Sequence, residues 1–221
     1  MIQTETRLIL ASQSPRRKDL LDRMGLEGQY EVIPSNYEEV LDNARSPKEV
    51  SQELGYGKAL WVAKRNPGAW VIGSDTIVTI DGKQLGKAAD ITEAREMLKM
   101  LAGMTSTVTS SVVLVRVTEG QDNNRVIKHY IGCEEVTVHF KPYDETAMET
   151  YLATGDWHDK AGAYGIQSGA HTLVDSIEGN YDTIIGLPTH TLADFLAQIG
   201  IQATPVEMQA PVPQKSSDTF Q

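Results

Sequence analysis

The chain has 221 residues, with 20 Lys plus Arg against 30 Asp plus Glu and a formal net charge of −10. Its 40% apolar and 23% charged residues make an ordinary globular mixture and exclude a disordered chain. The acidic balance argues against a nucleic-acid coat or a polybasic membrane binder, and no stretch approaches the roughly 18 apolar residues of a membrane span.

Residues 7–11 (RLILA) read as a short buried strand. Ser14 is a good N-cap and Pro15 suits the first helical position, so a helix follows with Leu20, Leu21 and Met24 on one face, ended by Gly25. Residues 30–33 (YEVI) read as a strand. Ser46-Pro47-Lys48-Glu49 is a capping box that starts a helix running to about Lys64. Gly55 and Gly57 within it each cost about 1 kcal/mol relative to alanine. They mark either a kink or a close approach near Lys58.

Residues 70–73 and 76–80 read as strands separated by Ser74-Asp75, and Asp81-Gly82 is a hairpin turn returning through Leu85. Asp90 opens a helix that Gly103 closes. Residues 106–117 and 126–140 read as two long strands around a polar tip at 119–124, and Asp144 opens a helix stopped by Gly155. The glycine-rich run 159–167 (DKAGAYGIQ) is a loop. Residues 171–177 and 181–185 read as strands, and Pro188 precedes a final helix ending at Gly200. Strands alternate with helices, which places the chain in the α/β class with a mixed sheet. The division expected is one domain over 1–202 and a flexible, proline-containing tail over 203–221.

Three groups of residues suit chemistry. The strand–turn–helix at Ser12–Arg17 presents free backbone N–H groups, two serines and two arginines at one helix N-terminus, which suits an anion; the bland alternative is an exposed basic first turn. Asp75 stands where an apolar strand ends, a position open to a general base, a magnesium ligand or a hydrogen-bonded turn residue. Lys58, Lys87 and Lys160 each lie beside small residues that let a ligand approach the backbone, although a lysine taken singly is more often solvated. The five histidines form no i, i+4 metal pair, and the GxxxxGK[ST], GxGxxG and GxSxG motifs are absent. The single cysteine, Cys133, excludes an internal disulfide and a cysteine-rich zinc site. It reads as a packed thiol in a reduced, cytoplasmic protein. The apolar run 8–11 before Arg16-Arg17-Lys18 has the wrong order for a secretory signal.

The segment Leu10-Ala11-Ser12-Gln13-Ser14-Pro15-Arg16-Arg17 resembles the opening signature of the Maf (septum-formation-inhibitor-like) nucleotide pyrophosphatases. GSDTIV at 73–78, LGK at 85–87, DKAGAYGIQ at 159–167 and GLP at 186–188 resemble the later blocks of that family in the same order, over about residues 7–200. The resemblance implies an elongated mixed β-sheet with flanking helices and two lobes around a central cleft, of the kind also found in inosine triphosphatases. It implies metal-assisted hydrolysis of a nucleoside triphosphate between the α and β phosphates. Carried over by position, Asp75 is the general base, and Glu39 with Asp75 binds a divalent cation, Mg2+ before Mn2+. Ser12, Arg16, Lys58, Lys87 and Lys160 hold phosphates.

Arg17, Thr76 and Gln167 resemble the branch acting on dTTP and UTP, and the Gln167 amide can both donate to and accept from a pyrimidine edge. The resemblance also implies a homodimer and no nucleic-acid polymer or membrane partner. Four positions depart from the family pattern: Gly55 and Gly57 near Lys58, Ala88 after Lys87, and Ser106. Two other readings compete, a catalytically silent nucleotide-binding regulator of cell division and an inosine- or xanthosine-triphosphate pyrophosphatase.

Overall fold

The computed structural model describes residues 6–40, 42–120 and 124–215. Among these, eight strands form one mixed sheet: β1 (Leu8–Leu10), β2 (Glu31–Val32), β3 (Trp70–Gly73), β4 (Thr76–Ile80), β5 (Lys83–Leu85), β6 (Thr105–Glu119), β7 (Arg125–Phe140) and β8 (Val174–Glu178). Six α-helices flank it: α1 (Pro15–Leu21), α2 (Pro47–Ala63), α3 (Ile91–Leu101), α4 (Glu145–Ala153), α5 (Tyr181–Ile185) and α6 (Thr189–Ala197). This is the mixed α/β sheet with flanking helices that the alternation of patterns implies.

The antiparallel β6–β7 hairpin is the spine. It pairs from Thr105 opposite His139 to Glu119 opposite Arg125. The tip residues 121–123, part of the turn expected at 119–124, lie outside the described residues. The opposite edge of β6 carries β3 and then β4 in a single register, Gly73 facing Val113 and Thr76 facing Ser110. Ser74 and Asp75 interrupt that run. β1 pairs in parallel with both β3 and β2.

Period-two alternation sorts the side chains onto the two faces. Ile9, Val71, Val113 and Val115 pack with Ala59, Val62 and Ala63 of α2, while Leu8, Leu10, Trp70, Ile72 and Leu114 pack with Leu20, Leu21 and Met24. The capping signals act as their sequences suggest. The Ser14 hydroxyl accepts from Arg17 N–H, Ser46 and Glu49 form a reciprocal capping box, and Asp90 and Asp144 cap α3 and α4. Cys133 is half-buried, and burial pushes its thiol up.

Gly55 and Gly57 do not kink α2, which runs unbroken over Pro47–Ala63. They mark close approaches. A Cβ at Gly55 would stand 2.6 Å from Ser111 Oγ, and one at Gly57 would overlap the Tyr37 ring. Gly73 does the same from the sheet side, because a Cβ there would run into the Gly55 carbonyl and lie 2.8 Å from Ala59 Cβ. The missing methyls of Gly55 and Gly73 thus let α2 lie directly on the end of β3, and that of Gly57 makes room for the Tyr37 ring.

Three expectations need correction. Residues 181–185 form α5, not a strand: Asn180 precedes it in extended conformation and Gly186 closes it at φ 111°. Five residues fit either period, and here the local bond from Gly186 N–H to Asp182 O at 3.0 Å closes a helix. The strand expected over 171–177 begins only at Val174, after a short 3-10 turn at Ala170–Thr172. The stretch from 203 is no loose tail as far as it is described. Thr204 N–H donates to Met24 O at 3.1 Å, and Gln214 bridges Ile177, whose N–H donates to Pro213 O at 3.0 Å. Val206, Met208, Ala210 and Val212 pack on the core, so residues 203–215 form an extended strap; residues 216–221 lie outside the described residues.

Candidate active site

A cleft of about 600 Å³ opens where β3 gives way to β4. Every residue singled out from the sequence lines it: Ser12, Arg16, Arg17, Glu39, Lys58, Asp75, Thr76, Lys87, Lys160 and Gln167. They come from six separate stretches of chain, so only the fold could assemble them.

Asp75 sits at the break, 6% exposed. The break is pinned by its neighbour on β6. Ser111 N–H donates to Asp75 O at 2.9 Å, and Asp75 N–H donates to Ser111 Oγ at 3.2 Å. The Ser111 hydroxyl spends its own proton on Ser51 O of α2 at 2.6 Å. The backbone is thereby fixed and the carboxylate is turned into the cleft. Lys58 meets it from α2, its Nζ 2.5 Å from Asp75 Oδ1 and 2.9 Å from Glu39 Oε1.

Burial pushes the Asp75 carboxyl above the usual aspartate range, and the charges of Lys58 and Arg17 offset part of that rise. Burial also pushes Glu39 up, but Lys58, with Lys87 and Arg17, outweighs it and the net direction is down. The two carboxylates converge on the Lys58 ammonium, and their remaining oxygens are hard donors of the kind that suits Mg2+. Among the described residues no cluster of three or more His, Cys, Asp or Glu side chains is arranged to hold an ion. An ion between Glu39 and Asp75 would therefore complete its coordination with phosphate oxygens or water.

Arg17 is held from three directions. Its Nε donates to Gly186 O at 2.8 Å, Nη1 to Ser12 Oγ at 3.2 Å and Nη2 to Thr76 Oγ1 at 3.4 Å. Burial lowers the guanidinium pKa, and Asp75 opposes that shift. Thr76 Oγ1 is itself 2.8 Å from Ser110 Oγ, and Ser110 donates to Thr183 O at 2.7 Å. Ser74 Oγ donates to the same Gly186 carbonyl at 2.6 Å.

The far wall carries Lys87 and Lys160. Their loops are clipped together: Lys87 bridges Ala161, and Gly162 N–H donates to Gly86 O at 3.0 Å. Asp159 and Ala163 adopt positive φ of 61° and 56°, bracketing Lys160 in a tight turn. Gly165 has no Cβ, which leaves room for the Lys160 stem to lie across it. Among the described residues the Lys160 ammonium makes its hydrogen bonds within its own loop, to Asp159 Oδ1 at 3.2 Å and His158 O at 3.4 Å.

Ser74, Ser110, Ser111, Gly186 and Tyr37 were not singled out from the sequence. Tyr37 acts by packing against Gly57, and Ser74, Ser110 and Ser111 position other groups by hydrogen bonds across the chain, for which a single sequence carries no signal. Gly186 had one, a glycine before Leu187-Pro188 at the end of an apolar run.

The family model for Maf-like proteins matches residues 7–199. A relative from Symbiobacterium thermophilum named dTTP/UTP pyrophosphatase is 42% identical over 193 residues, covering 87% of this chain and 94% of the relative. One of the same name from Pyrococcus horikoshii is 37% identical over 195 residues, covering 88% of this chain and 97% of the relative. The solved structure of a HAM1 protein from Coxiella burnetii superposes with a TM-score of 0.35 at 13% identity, over 61% of this chain and 73% of that one, a likeness too loose to argue from.

Proposed function

The chain belongs to the family of Maf-like proteins, and from that premise we propose that it hydrolyses dTTP and UTP between the α and β phosphates, releasing a nucleoside monophosphate and pyrophosphate. The observation that carries this reading is the gathering of five phosphate-suited side chains around one buried carboxylate in a single cleft. Relatives about 40% identical over most of their length bear the name of the same activity.

Asp75 takes a proton from a water molecule as that water's oxygen attacks the α phosphorus. The bond from the α phosphorus to the bridging oxygen breaks, and the electron pair leaves with pyrophosphate. A base of this kind contributes about 10²–10⁴-fold. Lys58 keeps the Asp75 carboxylate ionised and oriented. Ser12, Arg16, Lys58, Lys87 and Lys160 hold the phosphates, and the four cations among them supply the neutralisation that an acidic protein can provide only locally. Arg17 and Thr76 contact the nucleotide from the wall beside Gly186, and Gln167 reads the pyrimidine edge. A divalent cation held by Glu39 and Asp75, Mg2+ before Mn2+, supplies further neutralisation of phosphate charge when bound.

Lining by Val78, Val108, Ile166 and Ile185 gives the base an apolar seat, where the amide of Gln167 offers both a donor and an acceptor. The homodimer and the cytoplasmic location stay expectations of the resemblance and the reduced thiol. Among the described residues no helix is long and apolar enough to cross a membrane. A panel of nucleoside triphosphates with Mg2+, assayed for pyrophosphate, tests the reading. Preference for dTTP and UTP supports it. Preference for ITP or XTP, or binding without turnover, overturns it in favour of the competing activities.

A further inference from the structure

The strap at 203–215 lies beyond the family match, which ends at residue 199, yet a chain of hydrogen bonds runs from it to the cleft. Val206 N–H donates to Thr189 Oγ1 at 2.9 Å. The same hydroxyl donates to Asp182 Oδ2 at 2.5 Å, and Thr189 N–H reaches that oxygen at 2.7 Å. The other Asp182 oxygen accepts from Thr183 N–H at 2.9 Å. The Thr189 hydroxyl is therefore used in both directions, accepting from the strap and donating to the carboxylate.

Asp182 is 2% exposed, and no cation pairs with it among the described residues. A carboxylate buried without a cation persists only where its hydrogen bonds are complete. These bonds fix the turn that follows α5. Gly186 N–H and Leu187 N–H both donate to Asp182 O, at 3.0 and 3.2 Å, and Gly186 is held at φ 111°. The carbonyl of that glycine is the one that accepts Arg17 Nε and Ser74 Oγ. A Cβ at Gly186 would stand 3.0 Å from Thr76 Oγ1, so the turn is seated against the cleft wall.

We infer that Asp182 and Thr189 are positioning residues, and that together with the strap they hold the Gly186 carbonyl where it aims the Arg17 guanidinium into the cleft. The functional consequence rests on Arg17 contacting the nucleotide, as proposed above. Slackening of the latch frees Arg17 to swing. That weakens nucleotide binding and leaves the Asp75 chemistry in place, so KM rises while kcat holds.

Two variants cut the chain at different links. Thr189→Val removes the hydroxyl at nearly constant volume. Val206→Pro removes the strap's N–H, together with the valine side chain and the freedom of φ, and covers the case in which the first variant does not fold. Thr189→Ser is the conservative rescue. Val206→Ala controls for packing, and Glu207→Pro imposes a fixed φ one residue on while sparing that N–H. The expected result is a KM for dTTP about tenfold higher in both cutting variants, the size of one lost charge-assisted hydrogen bond, with kcat within about threefold. Solvent exchange of the Arg17 Nε–H NMR signal, assigned with Arg17→Lys, should quicken in both and stay slow in the rescue and the controls.

An unchanged Nε–H exchange rate in both folded variants overturns the inference. So does an equal loss of kcat and kcat/KM with KM unmoved. If the unaltered protein releases no pyrophosphate from dTTP or UTP, the pyrophosphatase reading fails and the Nε–H exchange alone decides the latch.

Discussion

Lys58 Nζ lies 2.5 Å from Asp75 Oδ1 and 2.9 Å from Glu39 Oε1, so one ammonium joins these two carboxylates of the cleft. The Lys58 and Asp75 side chains are 11% and 8% exposed, which makes theirs a desolvated pair. Losing one partner leaves the other charge buried and unpaired. Lys58→Met should destabilise the protein by about 3 kcal/mol in urea unfolding and lower turnover by about 10²-fold or more. The double variant Lys58→Met with Asp75→Asn should recover most of the stability and none of the activity. A double variant as unstable as Lys58→Met alone would show that the lysine acts by packing.

Asp75→Asn should lower pyrophosphate release from dTTP by about 10³-fold, as expected for loss of a general base, with nucleotide binding kept within a few fold. Calorimetry with a non-hydrolysable dTTP analogue separates the two effects. Chelation of divalent cations should abolish turnover in the unaltered protein, and added Mg2+ should restore it. Retained turnover in Asp75→Asn would move the base elsewhere.

Gly57→Ala sets two effects against each other. Alanine gains about 1 kcal/mol of helix propensity. Its Cβ would overlap the Tyr37 ring, and overpacking costs about 1–3 kcal/mol. Tyr37 stands two residues from Glu39, so a displaced ring should carry the carboxylate with it. The expected outcome is a modest net loss of stability and a several-fold rise in the Mg2+ concentration needed for half-maximal rate. Adding Tyr37→Ala should restore the stability but not the Mg2+ dependence.

Glu134 gives a test in pH. Its carboxylate accepts from Thr191 Oγ1 at 2.6 Å, Thr183 Oγ1 at 3.0 Å and Asn180 Nδ2 at 3.1 Å. Burial pushes the group up, but the three donors outweigh it and the folded value lies below the ordinary one. The folded state therefore binds the proton less readily than the unfolded chain does. The stabilisation is complete above the unfolded value of about 4.3 and is lost as pH falls through the folded value. Glu134→Gln should cost about 1–2 kcal/mol at pH 7, and the gap from the unaltered protein should narrow on acidification below about pH 4. Urea midpoints measured across that range check the sign.

Much of the site could be read before any coordinates, because its residue types sit in short blocks with strong local signals. Ser14 and Pro15 announce the helix start that carries Arg16 and Arg17, and a charge interrupting two apolar runs announces Asp75. The glycines beside Lys58 were legible as a contact or a kink, and Ser111 and Tyr37, which decide between these, are far away in sequence. Asp182 and Thr189 were illegible for a related reason: a hydrogen-bonded pair across a turn has no periodicity.

The strap was misread although its signal was present. Val206, Met208, Ala210 and Val212 recur at period two and pack on the core, while Glu207, Gln209 and Pro211 between them are exposed. Prolines and a polar average concealed that alternation. The helix at 181–185 was misread because five residues are too few to separate the two periods.

The common register of β3 and β4 along one edge of β6 also governs how a ligand is received. β3 and β4 hang from the same long strand, so the break that carries Asp75 cannot widen without unzipping their hydrogen bonds to β6, and the far-wall loops are clipped to each other. A nucleotide enters a preformed slot, and the entropy surrendered on capture belongs to the tips of long cationic side chains and to the nucleotide itself, not to the main chain. Affinity should then respond to how firmly those tips are tethered beforehand.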